Sequence, residues 1–261
     1  MDGFTNVDVV RIGLDRSERE QDRVATESPI EFRIGATPIA VLMRTPGLET
    51  ELATGFCLTE GILLHPQELA AVERLDGDRY QLRLADGVTV DPEQFRRNTY
   101  TTSSCGVCGK ASIDAVKIAA RPLPPGPQLG RDDVTGLIEG LRRTQEIFDL
   151  TGGLHGAALM TPTGDVESSA EDVGRHNAVD KAIGHLARRR WPLGEVILVV
   201  SGRISFEIAQ KAAVAGIPMV VGVSAASSLA VELAEDVGMT LVGFARGTSF
   251  VVYSGAGRLD V

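Results

Sequence analysis

The chain has 261 residues, of which 43% are hydrophobic and 23% charged, and its formal net charge is -9. That length holds one large or two modest globular domains, and the composition excludes a disordered or fibrous class. An acidic chain is a poor general binder of nucleic acid or anionic membrane, so any anionic ligand requires a local basic pocket.

The N-terminal stretch MDGFTNVDVVRIGLDRSERE has neither a basic start nor a long apolar core, which argues against a secretory signal. No apolar run reaches the roughly 18 residues needed to span a bilayer. EFRIG and IAVLMR read as a strand pair turning at Ala36-Thr37-Pro38. LETELATGFCLTEGIL reads as a helix with Leu48, Leu52 and Phe56 at helical spacing, and Cys57 beside them reads as a small core residue. RYQLRLAD alternates like a half-buried strand. The proline-rich segment Arg121 to Asp133 can join neither a helix nor a central strand. It marks an expected boundary between an N-terminal α+β domain, 1–125, and a C-terminal domain, 126–261.

Beyond it, strands and helices alternate. A helix is expected from about Asp132 to Leu150, with Val134, Leu137, Ile138, Leu141 and Ile147 on one face. The strand HGAALMT follows, then the helix GRHNAVDKAIGHLARRR. EVILVVSG, ISFEIAQKAAVAG, PMVVGVSA and LAVELAEDVG continue the alternation, and TLVGFARGTSFVVYSG closes the chain with one or two strands. Continuous apolar strands between amphipathic helices imply an α/β layered domain with helices on both faces, and ligands of such domains sit past the strand ends.

Chemistry concentrates first in TTSSCGVCGK. The cysteines are Cys57, Cys105 and Cys108, an odd count with one close pair, which fits a reducing compartment such as the cytoplasm better than a secreted disulfide framework. Three readings of the pair stay open. Structural zinc normally needs four ligands, and only the distant His155 and His176, with Cys57, could complete the set. Thioredoxin-like exchange wants a hydrophobic strand just upstream, which is missing. Sulfur carriage wants a reachable, easily deprotonated thiol. Glycines at 106 and 109, nearby backbone amides and Lys110 supply those conditions.

Four other strings carry candidate binding residues. TGGLHGAAL sets His155 among glycines at a strand entrance. SAEDVGRHNAVDKAIG gathers Glu171, Asp172, Arg175, His176, Asn177, Asp180 and Lys181 around a helix start. VVSGRISFE ends a buried strand with Ser201-Gly202-Arg203, where amides and an arginine suit a phosphate. FARGTSF places Arg246 and hydroxyls on a near-terminal strand or turn. No GxxxxGK[ST] or strand-bound GxGxxG occurs, so the common nucleotide cradles are absent. Zinc deaminase chemistry wants His-x-Glu followed by Pro-Cys-x-x-Cys. Here His155 is followed by Gly156-Ala157, and the cysteine pair precedes it without a proline.

Taken in order, TGFCLTEGIL, SSCGVCGK, TGGLHGAAL, EDVGRHNAVDKAIG, SGRISFEIAQKAA, GIPMVVGVSAASSLAVELA and FARGTSFVVY resemble the formate dehydrogenase accessory sulfurtransferases, the FdhD family, from about Pro29 to Gly255. The resemblance implies a C-terminal domain similar to cytidine deaminases joined to a smaller N-terminal α+β domain. It implies a cytoplasmic homodimer that takes persulfide sulfur from a cysteine desulfurase and passes it to the molybdenum cofactor in its bis-guanine-dinucleotide form, as formate dehydrogenase requires. By the same carry-over, Cys105 is the persulfide carrier and Cys108 its partner. The guanine-dinucleotide site includes Phe244, Ala245, Arg246, Gly247, Thr248 and Ser249. The cations and imidazoles available to hold the cofactor phosphates are Arg203, Arg175, His176 and His155. No permanent metal, nucleic acid or membrane partner is expected. A cofactor-binding chaperone without sulfur transfer and a zinc-stabilised interaction protein are the competing readings.

Overall fold

The computed structural model describes residues 3–14, 16–91 and 122–260. Cys105, Cys108 and the helix expected after Lys110 lie outside the described residues.

The chain opens with a hairpin of β1 (Phe4–Ile12) and β2 (Ser17–Ala25), paired without a register shift. β3 (Ser28–Ile34) and β4 (Thr37–Arg44) form the expected strand pair. With β5 (Leu69–Asp76) and β6 (Arg79–Leu84) they make a four-stranded sheet in the order β4-β3-β6-β5. Ile30, Phe32 and Leu82 on its inner face pack against Leu52, Cys57 and Leu58 of α1 (Glu49–Thr59). Cys57 is fully buried, and burial, aided by Asp180, pushes its thiol far above the usual range. It is a core residue, as its place on the helix suggested.

β7 (Leu129–Gly130) leads into α2 (Arg131–Arg143) and α3 (Glu146–Thr151). The single helix expected over 132–150 is thus two. The break falls at Thr144-Gln145, and the Glu171 carboxylate accepts the Ile147 and Phe148 amides at 2.9 and 2.7 Å, so α3 starts afresh with its own acceptor.

The main sheet holds β8 (His155–Met160), β9 (Val166–Asp172), β10 (Ile197–Val200), β11 (Met219–Gly222), β12 (Thr240–Arg246) and β13 (Ser249–Ser254), in the order β13-β12-β11-β10-β8-β9. β10, β11 and β12 run parallel, while β8 and β13 are antiparallel to their inner neighbours. α4 (Arg175–Ala187), α5 (Phe206–Val214) and α6 (Ser228–Val237) cover one face. Leu198 and Val200 of β10 point to that side, whereas Ile197 and Val199 point to Val134, Leu137 and Leu141 of α2 on the other. Burial on both faces explains why EVILVV reads as one apolar run instead of alternating. A short β14 (Leu259–Asp260) pairs with β7.

Candidate functional site

The parallel strands end on one edge of the main sheet, and the residues singled out in four separate strings come to that edge. β9 delivers the start of α4 there, and a buried polar knot fixes it. The Asp172 carboxylate accepts the Thr45 amide at 3.1 Å, the Gly174 amide at 2.8 Å and the Asn177 side-chain amide at 3.0 Å, and pairs with Lys181 Nζ at 2.7 Å. Lys181 also donates to the Thr45 carbonyl at 2.7 Å, and Asn177 to the Met43 carbonyl at 2.7 Å. A buried carboxylate with this many donors is satisfied rather than available. Asp172, Asn177 and Lys181, which the sequence grouped with the binding candidates, are therefore the fastening of α4 to the end of β4, and Asp180 is likewise interior. Glu171 is spent on α3.

Beside that knot, Arg175 and His176 begin α4 at the sheet edge. β8 enters alongside, clamped to the end of β10: the Gly156 amide donates to Ser201 Oγ at 2.9 Å and the Ser201 amide to the Gly156 carbonyl at 3.0 Å. This places His155 over Gly202. A Cβ at Gly202 would meet His155 Nδ1 at 3.3 Å and Arg175 Cδ at 3.8 Å, so the backbone there runs beneath both side chains, and Arg203 follows exposed. Burial, then the positive charge of Arg175, holds His155 below its ordinary pKa, with Asp172 opposing. His176 is pushed further, to about 3, by burial, then by Lys211 and Arg175. Both imidazoles are neutral at neutral pH. His176 Nε2 stands 3.8 Å from the Glu207 carboxylate of α5, beyond hydrogen-bond reach.

Two strands further along, Phe244 adopts a left-handed φ of 50°, unusual for a residue with a Cβ, and its amide donates to the Ser224 carbonyl at 3.1 Å. The residue is 43% exposed. Arg246 Nε donates to the Val223 carbonyl at 3.0 Å, which anchors the exposed arginine beside the β11–α6 connection. Ala245 is buried in the opposite core, whereas Gly247 and Thr248 form the β12–β13 turn and Ser249 opens β13. Of the expected site residues, His155, Arg175 and Arg203 thus meet around Gly202, with His176 on the adjoining helix turn. Phe244 and Arg246 lie at the end of β12. Among the described residues, no group of three or more His, Cys, Asp or Glu side chains is placed to hold a metal ion.

Glu207 and Thr45 are not among the residues to which the sequence points. Glu207 lies within the string VVSGRISFE, whose signal is the Ser201-Gly202-Arg203 turn. Thr45 carried no local signal, because its partner Asp172 is 127 residues away.

These features define an α/β protein that collects arginines and neutral histidines at the carboxyl ends of parallel strands. The chain belongs to the FdhD/NarQ family, whose profile matches residues 25–260. Proteins named sulfur carrier protein FdhD are similar over nearly the whole chain. That of Streptomyces coelicolor is 46% identical, covering 96% of this chain and 94% of its own, and that of Sulfolobus acidocaldarius is 43% identical, covering 92% of each. In fold, the chain resembles a crystal structure of a candidate formate dehydrogenase accessory protein from Desulfotalea psychrophila, with a TM-score of 0.79, 22% identity and coverage of 99% of this chain and 100% of that one.

Proposed function

We propose that this chain is a sulfurtransferase that takes persulfide sulfur from a cysteine desulfurase on Cys105 and delivers it to the molybdenum cofactor in its bis-guanine-dinucleotide form, for formate dehydrogenase. The observation that carries the reading is the meeting of His155 and Arg175 over the Gly202 backbone, with Arg203 beside it, at the carboxyl end of β10. An acidic protein that binds a polyphosphate needs such a cationic edge. Neutral imidazoles add hydrogen-bonding groups without titrating near pH 7. Phe244 and Arg246, with the turn Gly247-Thr248 and Ser249 after it, offer a ring face, a guanidinium and hydroxyls two strands further along, apt for the guanine-nucleotide part of the same substrate.

In the loading step, the Cys105 thiolate attacks the outer sulfur of the desulfurase persulfide. The new S–S bond forms at Cys105 as the desulfurase thiolate leaves. Attack of the Cys108 thiolate on the inner sulfur then closes a Cys105–Cys108 disulfide and releases sulfide for the cofactor, the two thiols supplying both electrons. A thiol reductant regenerates the pair. The order of the main sheet, with helices on both faces, supports the expected likeness of the C-terminal domain, 126–261, to cytidine deaminases, joined to an N-terminal α+β domain, 1–125. A cytoplasmic homodimer completes the proposal.

Incubation with a cysteine desulfurase and cysteine should add one sulfur to the wild-type protein by intact-mass spectrometry, removable by reductant, and none to Cys105→Ala. Sulfur still gained on Cys57 or Cys108 in that variant overturns the assignment of the carrier. A cysteine-free variant that still activates formate dehydrogenase supports a cofactor chaperone instead.

A further inference from the structure

We propose that the β1–β2 hairpin is a dimerisation arm whose β1 edge pairs, antiparallel and about a two-fold axis, with the same edge of a second copy of this chain. The hairpin stands outside both larger sheets, and its base touches α3, where Gly3 lies against Ile147. It also begins before residue 25, where the family profile starts. A two-stranded ribbon is at best marginally stable in water and leaves two edges open to another strand. Among the described residues neither edge is paired.

The backbone ladder identifies which groups face out. The Gly13 amide donates to the Arg16 carbonyl at 2.8 Å, and the Thr26 amide to the Gly3 carbonyl at 3.0 Å. Hydrogen-bonded pairs alternate along an antiparallel ladder, so odd residues of β1 turn their amides toward β2 and even ones turn them outward. The even residues also carry the exposed apolar surface. Val10 and Ile12 are 56% and 80% exposed on one face, and Leu14 at the tip is fully exposed.

The two edges differ in whether they tolerate their own copy. Centred on Val9, β1 against β1 sets Val9 opposite Val9, Asp8 opposite Val10, Val7 opposite Arg11, Asn6 opposite Ile12 and Phe4 opposite Leu14. No like charges meet, and the exposed apolar residues gain cross-strand neighbours. The edge of β2 repels itself. Centred on Gln21 it sets Arg19 against Arg23 and Glu20 against Asp22, and centred on Glu20 or Asp22 it sets a carboxylate against its own copy. An isologous contact requires a self-complementary strip, and β1 supplies one.

This inference specifies the surface of the homodimer proposed above and is independent of the sulfur chemistry. It is tested on the full chain by sedimentation equilibrium over a range of concentrations. Val9→Lys puts a lysine opposite Glu20 within the hairpin, which favours the monomeric ribbon, but opposite another lysine across the two-fold axis. Val10→Pro removes an outward amide from the β1 edge, and Arg19→Pro removes one from the β2 edge directly across from it. We expect a wild-type dimer, a dissociation constant raised at least 100-fold in Val9→Lys and Val10→Pro, and no such change in Arg19→Pro. Dimers that survive both β1 changes overturn the arm and leave the homodimer standing on another surface. Equal dissociation by Arg19→Pro also overturns it, and a wild-type monomer overturns both.

Discussion

Gly55 and Gly184 are the point at which α1 and α4 touch backbone to backbone. A Cβ on Gly184 would stand 1.9 Å from the Glu51 carbonyl oxygen and 2.6 Å from the Gly55 nitrogen, and one on Gly55 would stand 1.9 Å from the Asp180 carbonyl oxygen. The crossing joins the helix of the four-stranded sheet to the helix that carries Arg175 and His176. The same core contains Ala187 from the end of α4. The N-terminal sheet is therefore packed, through α1, on the element that positions the candidate site.

Either glycine changed to alanine should destabilise the protein by about 2–3 kcal/mol, because the obstructing atoms are backbone and the helices must separate. This runs against intrinsic preference, which favours alanine over glycine in a helix by about 1 kcal/mol. Urea unfolding of Gly184→Ala checks it. A variant as stable as wild type means the helices do not cross this closely.

Below that crossing, Lys211 of α5 reaches Asp180 of α4 and Glu60 at the end of α1, each at 2.9 Å, and donates to Thr59 Oγ1 at 2.9 Å. Burial pulls the lysine toward neutrality, but Asp180 and Glu60 outweigh it and hold it above its ordinary pKa. Burial raises Asp180 to about 6 against the opposing pull of Lys211, which still leaves it ionised at neutral pH, so the pair is charged there. Lys211→Met should cost about 3–5 kcal/mol, since it strands a buried carboxylate. Asp180→Leu in the same chain should restore a large part of that loss. Equal destabilisation in single and double variants, read from chemical denaturation, contradicts the account.

Much of this architecture is legible in the sequence because the inner strands β8, β10 and β11 of the main sheet are buried on both faces. Ile197 to Val200 must be apolar throughout, and the alternation of such runs with amphipathic helices gives the α/β class directly. The hairpin is not legible in the same way. FTNVDVVRI and EREQDRVA have solvent on both sides, so their polar pattern carries no face to recognise. The edge strand β9 escapes for a related reason. Its charged end, Glu171-Asp172, reads as a helix start, when Asp172 is the buried anchor just before one. Candidate site residues could be picked out where a turn follows a buried strand, as at Ser201-Gly202-Arg203. Which charged residues are satisfied internally depends on partners such as Thr45 and Asp172, far apart in the chain.

His176 gives the protein a pH dependence with a definite sign. Its folded-state pKa is about 3, below the 6.5 of an unperturbed histidine, so the unfolded chain binds a proton that the folded one refuses. Stability from this group is complete above pH 6.5 and declines as pH falls toward 3. Asp180, raised to about 6, acts oppositely: the folded state holds its proton more tightly, and its contribution declines as pH rises from about 4 to about 6. The two offset each other in wild type, so the comparison has to be made with His176→Gln. From pH 7 to pH 5 the wild type should lose about 2 kcal/mol relative to that variant. Denaturation curves at both pH values measure the difference, and a gap that does not move with pH means His176 titrates normally.

Arg203 is exposed and immediately follows Gly202, over which His155 and Arg175 lie. If this cationic edge holds phosphates, guanosine diphosphate, the end group of the proposed substrate, is a suitable probe. Arg203→Ala should weaken its binding about tenfold at low salt, the loss of one charge-assisted contact, and by less at high salt, where an exposed charge is screened. Gly202→Ala tests the same place through shape. The new methyl would press on His155 Nδ1 at 3.3 Å, a distance a ring can relieve by a small shift, so the fold should lose no more than about 1 kcal/mol while nucleotide affinity falls. Isothermal titration on both variants separates charge from shape, since only the arginine change should flatten the salt dependence. Unchanged affinity in both would remove the phosphates from this edge and leave the Phe244–Arg246 end of β12 as the place to look for them.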